Sequence, residues 1–166
     1  IKRNEISELH NIPVLGANGL IGYTDIPLFS EDLIYTGRVG TLGKISLVIN
    51  KPVWLSDNTI VFRNIRYFYF IYFQLKQIDF NDYNSGSTQP LIRQSDINNI
   101  EIKIPKDLEK IDKFESFSHK YFGKIEANNK QIQTLQSLRD TLLPKLVSGE
   151  VRLQGFAEKV DGLQDA

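Results

Sequence analysis

The chain has 166 residues, of which 41% are hydrophobic, and its 20 basic and 20 acidic residues leave no net charge. With 10 Phe, 7 Tyr and 1 Trp it has the length and apolar content for one packed domain with or without an appendage, which excludes disorder over most of its length. The absence of Cys excludes disulfides and thiolate metal sites. The richest apolar run, Tyr67 to Leu75, is nine residues long, too short to cross a bilayer, and no signal-peptide pattern opens the chain, so a cytoplasmic protein with no membrane partner is expected.

From Ile12 to Pro105 the sequence consists of short apolar runs cut by turn residues. Ile12–Leu15 meets Gly16-Ala-Asn-Gly19, then Leu20–Tyr23 ends at Thr24-Asp25. Leu33–Tyr35 runs into Thr36-Gly37, and Arg38-Val-Gly-Thr-Leu-Gly43 leads into Ile45–Ile49. Asn50-Lys51-Pro52 precedes Val53–Leu55, and Ser56-Asp57-Asn58 separates it from Thr59–Phe62. β-Branched and aromatic runs between Gly, Asn, Asp and Pro clusters describe short strands in a tightly turned β-rich domain. A helix is expected near Tyr67 to Ile78, which lacks Gly and Pro, and a final strand over Asp96 to Ile104, where Ile97, Ile100, Ile102 and Ile104 are apolar.

After Pro105 the periodicity changes. Leu108 to Val147 holds one Gly and one Pro, and steps of three and four from Ile111 give Ile111, Phe114, Ser118, Tyr121, Ile125, Asn128, Ile132, Leu135, Arg139, Leu142 and Leu146, of which eight are apolar. Mostly charged and amide residues lie between them. The pattern predicts an amphipathic helix of about forty residues, roughly 60 Å at 1.5 Å per residue. A stripe of that length outruns a domain of about a hundred residues and calls for a partner helix; an ordinary amphipathic helix packed on its own domain is the competing reading. Asn128 on the seam either fixes register or marks a solvated spot. Gly123 reads as a kink or close approach, and Pro144, which removes a backbone donor, predicts a bend or helix end around Thr141 to Lys145. The fold class expected is therefore α+β: a β-rich domain over residues 1–106, a long coiled-coil-forming helix over 107–150 and a polar, ancillary tail over 151–166.

No catalytic constellation emerges. His10 and His119 have no metal-ligating residue at useful spacing, so no metal and no cofactor are expected. Gly37 to Gly43 is glycine-rich but lacks the Gly-Lys-Ser/Thr ending of a phosphate loop and is followed by a strand-like run, so tight turns are the favoured reading. Asn50-Lys51-Pro52-Val53 lacks the tandem Pro and aromatic of an amino-methylating site, and Asp57, Asp79 and Asp82 lie in turns without a nuclease pattern. The chain reads as non-enzymatic. Charge is silent about nucleic acid: residues 1–106 hold 11 Lys/Arg and 10 Asp/Glu, and residues 107–166 hold 9 and 10. A DNA ligand would require the basic residues to gather on one face, or a partner to supply phosphate contacts.

Six segments, in order, resemble those of specificity subunits of type I restriction-modification systems. They are Ile12-Pro-Val-Leu-Gly-Ala-Asn-Gly-Leu-Ile-Gly-Tyr23, Arg38-Val-Gly-Thr-Leu-Gly-Lys-Ile45, Trp54-Leu-Ser-Asp-Asn-Thr59, Ser85-Gly-Ser-Thr-Gln-Pro-Leu-Ile92, Ile102-Lys-Ile-Pro105 and the helix ending Leu138-Arg-Asp-Thr-Leu-Leu-Pro-Lys-Leu-Val-Ser-Gly-Glu150. Each is weak alone; together they cover about residues 12 to 153. Two departures stand out: Leu108-Glu-Lys-Ile111 replaces the family's Glu-Gln after the exit Pro, and the opening strand is short or missing before Ile12. A full subunit carries two recognition domains and two conserved helices. One of each here implies a half-subunit, natural or excised; the start at Ile1 rather than Met points only to a fragment or an incomplete product.

The resemblance implies sequence-specific recognition of one half of a bipartite site in double-stranded DNA. It further implies that the long helix serves as spacer and as docking site for modification (methyltransferase) subunits, which carry the catalysis. A second copy, or the second half of the subunit, would pair through Ile111, Phe114, Tyr121, Ile125, Asn128, Ile132, Leu135, Leu142 and Leu146. For base edges the candidates are Arg38 and Arg93 on guanine and Asn18 and Gln89 on adenine; for phosphate or sugar they are Tyr23, Lys44, Ser87 and Thr88. The competing reading of Ser85–Thr88 is a turn or helix cap. The alternatives at the level of function are a coiled-coil dimerisation scaffold with a protein-binding β-domain and the recognition module of a fused restriction-methylase.

Overall fold

A computed structural model describes residues 6–40, 42–86 and 88–150. Among these residues six strands, β1 (Ile12–Gly16), β2 (Gly19–Thr24), β3 (Leu33–Gly37), β4 (Ser46–Val48), β5 (Trp54–Leu55) and β6 (Thr59–Phe62), are followed by three α-helices, α1 (Phe68–Leu75), α2 (Gln94–Asn98) and α3 (Leu108–Val147). A 3-10 turn, Phe80–Tyr83, lies between α1 and α2. The chain divides into two compact units, one up to Phe117 and one from Ser118.

The strands form two small sheets, ordered β2-β1-β5 and β4-β3-β6. In the first, β1 and β2 make a hairpin whose Gly16↔Gly19 pairing leaves Ala17 and Asn18 as a two-residue tip, and β5 runs parallel to β1. In the second, β3 pairs antiparallel with β4 on one side and β6 on the other. Every residue of β3 is buried. Because successive side chains of a strand point to opposite faces, Ile34 enters one core with Ile45, Leu75, Phe80, Ile92 and Ile97. Leu33 and Tyr35 enter the other with Val48, Val53 and Leu55. The continuously apolar Leu33-Ile-Tyr35 is thus a wall shared by two cores.

Helix α1 forms where the aromatic run predicts it. Its N-cap, Tyr67, has left-handed backbone (φ 61°) and no side-chain cap, so the first turn's N–H groups need another acceptor. Glu115, on the first part of α3, supplies it: its carboxylate accepts from Tyr69 N at 3.2 Å and Phe70 N at 2.7 Å.

Two expectations need correction. The strand expected over Asp96 to Ile104 is absent; a helical turn, α2, occupies Gln94–Asn98, and no strand follows it among the described residues. The reason is local: Arg93 N donates to the Asp96 carboxylate at 3.0 Å, and Asp96 N donates back to Arg93 O at 3.0 Å, which is helix-starting geometry. Three of the four isoleucines still face inward, with Ile97 buried and Ile100 and Ile102 packed on the same core, while Ile104 is exposed. Pro144 does not end α3, which continues to Val147. Pro144 still serves as an acceptor, taking Ser148 N at 2.9 Å. The tail expected over 151–166 lies outside the described residues. Among the described residues no helix is long and apolar enough to cross a membrane.

Candidate nucleic-acid interface

Four turns of the first unit bring polar side chains together. The segment after β3 acts as the hub. Arg38 N donates to Asn58 O at 2.8 Å, tying it to the β5–β6 turn, and Arg38 O accepts from Ile92 N at 3.0 Å. Gly40 N donates to Pro90 O at 2.9 Å, with Val39 bridging antiparallel to Leu91. Gly40 has left-handed backbone (φ 81°), which a side chain would strain. These bonds fix Arg38 beside the strip that carries Gln89; a Cβ on Gly40 would stand 3.8 Å from the Gln89 amide nitrogen.

The hairpin tip joins from the other side. Lys44 Nζ donates to Asn18 O at 3.0 Å, a tie across 26 residues. A cleft of about 330 Å³ runs between the tip, Gly16 to Ile21, and a wall of Val39, Ser56 and Asn58. The β5–β6 turn that carries Asn58 is held by Thr59 Oγ1 donating to Ser56 O at 2.7 Å and by Ser56 N donating to Leu15 O at 2.9 Å. Asn18 and Asn58 line this cleft and, like Arg38 and Lys44, are exposed.

The other candidates distribute as follows. Arg93 and Thr88 are exposed, and Arg93 follows directly on Ile92, which is bonded to Arg38. Ser87 lies outside the described residues. Tyr23 is half-buried and pairs with Pro13 near the opposite end of the hairpin from Asn18, roughly 15 Å away at the rise of an antiparallel strand. It is not brought to the cleft. Asn58 and Ser56 were not among the site candidates drawn from sequence; the signals there were the turn Ser56-Asp57-Asn58 and the family-like segment Trp54–Thr59, and the turn's place beside Arg38 depends on strand pairing.

The helix candidates divide in the same way. Ile111 is buried at 2% exposure within the first unit, and the Phe114 ring stands edge-on to Phe73 at 5.8 Å. These two seam positions serve the unit's own packing. In the second unit Tyr121, Ile125, Ile132, Leu135 and Leu142 are exposed, as is Asn128, while Leu146 is half-buried. Phe117, Leu138, Leu143 and Val147 widen the exposed apolar surface of the helix. Among the described residues no group of three or more His, Cys, Asp or Glu is placed to hold a metal ion.

The first unit thus carries exposed amide and guanidinium groups on hydrogen-bonded backbone, and the same chain carries a long helix with exposed apolar residues. Comparison with known proteins gives the family. The type I restriction modification DNA specificity domain matches residues 1–137, and the chain belongs to that family. It is 44% identical over 90 residues, 52% of this chain, to the type I restriction enzyme MjaIX specificity subunit of Methanocaldococcus jannaschii, covering 20% of that protein. In fold it is similar to the crystal structure of a type I restriction-modification S subunit from M. genitalium, with a TM-score of 0.72 at 20% identity. That match covers 99% of this chain and 45% of the other. The chain therefore spans less than half the length of each.

Proposed function

We propose that this chain reads one half of an interrupted DNA site through the surface around the Asn18–Asn58 cleft and the Arg38–Gln89 strip. The observation that supports the reading is the backbone ladder between Arg38–Gly40 and Pro90–Ile92, which runs the segment carrying Arg38 alongside the strip that carries Gln89. Arg forks onto the O6 and N7 of guanine, and Gln or Asn pairs with the N6 and N7 of adenine. Asn18, Asn58 and Gln89 are the amide readers in this scheme, Arg38 and Arg93 the guanidinium readers, and Thr88 a backbone contact.

The apolar stripe of α3 from Tyr121 to Leu146 pairs with a second such helix, from another copy or from a second half of the subunit, and the pair sets the unread gap between half-sites. Modification subunits dock on the helices and contribute methyl transfer, so this chain specifies the site without altering it. Such a complex works in the cytoplasm, where its DNA lies. With no net charge on the chain, those subunits supply much of the phosphate neutralisation.

Salt titration separates this reading from a protein-binding scaffold. For DNA, log affinity falls linearly with log salt at a slope of about −0.9 per neutralised phosphate, steeper when modification subunits are present. A slope near zero, or no retention of any duplex, excludes the DNA reading.

A further inference from the structure

We propose that Asn84 is a positioning residue that sets base discrimination by locking the loop on which Gln89 is presented; this rests on the DNA reading above. Asn84 closes the 3-10 turn Phe80–Tyr83, donating its own N–H to Asn81 O at 3.1 Å, and Phe80 anchors that turn in the core. Its side-chain oxygen then accepts two backbone N–H groups from opposite ends of the loop, Gly86 N at 2.9 Å and Leu91 N at 3.0 Å. Ser85 adds two bonds to Leu91 O, from its N at 2.9 Å and from its Oγ at 3.2 Å. The N–H and C=O of Leu91 are therefore both taken by Asn84 and Ser85.

The chain crosses itself closely here. A Cβ added at Gly86 would collide with Gln89 O and stand 3.0 Å from Leu91 N, so this position admits only glycine without rearrangement. On its other side the same strip is bonded to Arg38 and Gly40 through Ile92 N and Pro90 O. One amide oxygen thus fastens the loop behind Gln89 while the Arg38 strand fastens it in front. Losing the Asn84 clamp leaves both reading side chains in place but frees the spacing between them. The cost of ordering a freed loop falls on the specific complex, in which Gln89 must meet a base edge, and not on the non-specific complex, which rests on phosphate contacts.

The test uses the full chain with modification subunits, a duplex selected from random sequence, and an unrelated duplex. Asn84→Ala is expected to lower the ratio of specific to non-specific affinity about tenfold, with the salt slope unchanged because no phosphate contact is lost. Amide exchange at Gly86 and Leu91 is expected to accelerate in the same variant. Asn84→Asp keeps the accepting oxygen, so its ratio and exchange rates stay near wild type while its added negative charge weakens binding to both duplexes alike. A wild-type ratio in Asn84→Ala, or unchanged exchange at both amides, overturns the proposal alone. A wild-type chain that prefers no duplex overturns the DNA reading and the proposal with it.

Discussion

The carboxylate of Glu115, in α3, accepts the backbone N–H of Phe70 at 2.7 Å and so caps a helix 45 residues away in sequence. Tyr67, at the N-cap position, makes no side-chain cap bond, so the first turn of α1 relies on α3 for this acceptor. Replacing a capping acceptor costs about 1 kcal/mol, and more when the acceptor is ionised. Glu115→Ala is expected to destabilise the chain by about 1–2 kcal/mol in urea unfolding, with Glu115→Gln retaining roughly half of the difference. Equal stability of Glu115→Ala and wild type would show that the cap contributes nothing.

Asn58 and Lys44 separate the two ways a residue can serve DNA binding. Asn58→Ala is expected to reduce discrimination at one base position by about 10- to 100-fold, equivalent to about 1–3 kcal/mol, with an unchanged salt slope. Lys44, bonded to Asn18 O, was expected from sequence to contact phosphate. If it does, Lys44→Met reduces the magnitude of the salt slope by about one and weakens binding to all sequences alike. If it only holds the hairpin tip, the slope stays and preference relaxes. Binding isotherms at four salt concentrations distinguish the two.

Leu135 is 64% exposed on α3 and Ile125 is 52% exposed, on the stripe proposed to pair with a second helix. Charged residues at such positions place unpaired charge in an apolar seam, which is strongly unfavourable. Ile125→Lys with Leu135→Lys is expected to convert an assembled species to monomer in analytical ultracentrifugation at micromolar concentration, with thermal unfolding of the β-rich unit unchanged. A wild-type chain that is already monomeric there would exclude self-pairing and leave pairing with a second half of a subunit.

Glu31 provides a pH dependence of known sign. The Ser30 N–H, then its own N–H and the Arg63 guanidinium, which stands 2.8 Å away, hold its carboxyl below the ordinary glutamate range despite an opposing desolvation cost. A carboxyl lowered by folding contributes stability at neutral pH that is lost as the pH falls through its folded-state value. Glu31→Gln is therefore expected to make the acid side of the stability profile shallower, leaving its alkaline side unchanged. The site is exposed, so the effect is small, and urea midpoints between pH 3 and about pH 7 measure it.

The strands, the aromatic helix and the long α3 were legible in sequence because each rests on local periodicity and turn residues. The expected strand at Asp96 to Ile104 was misread because isoleucines at 97, 100, 102 and 104 resemble alternation. The Arg93–Asp96 pairing starts a helical turn instead; Ile100 and Ile102 reach the core from irregular backbone, and Ile104 is exposed. A seam of period 3.5 also cannot say which part faces its own domain: Ile111 and Phe114 do, and Leu135 is exposed. Asn58 was legible only as part of a turn within the Trp54–Thr59 segment, and its place depends on strand pairing. Asn84 and Glu115 were not singled out: the Asn84 clamp depends on a loop closing on itself, and Glu115 takes its role from contact with a second helix.

Selection from random duplexes by the chain assembled with modification subunits tests the central claim most directly. An interrupted two-part consensus is expected, relaxed at one position by Asn58→Ala and made less discriminating by Asn84→Ala. Recovery of unselected sequence, or of a consensus that neither substitution alters, would contradict the account.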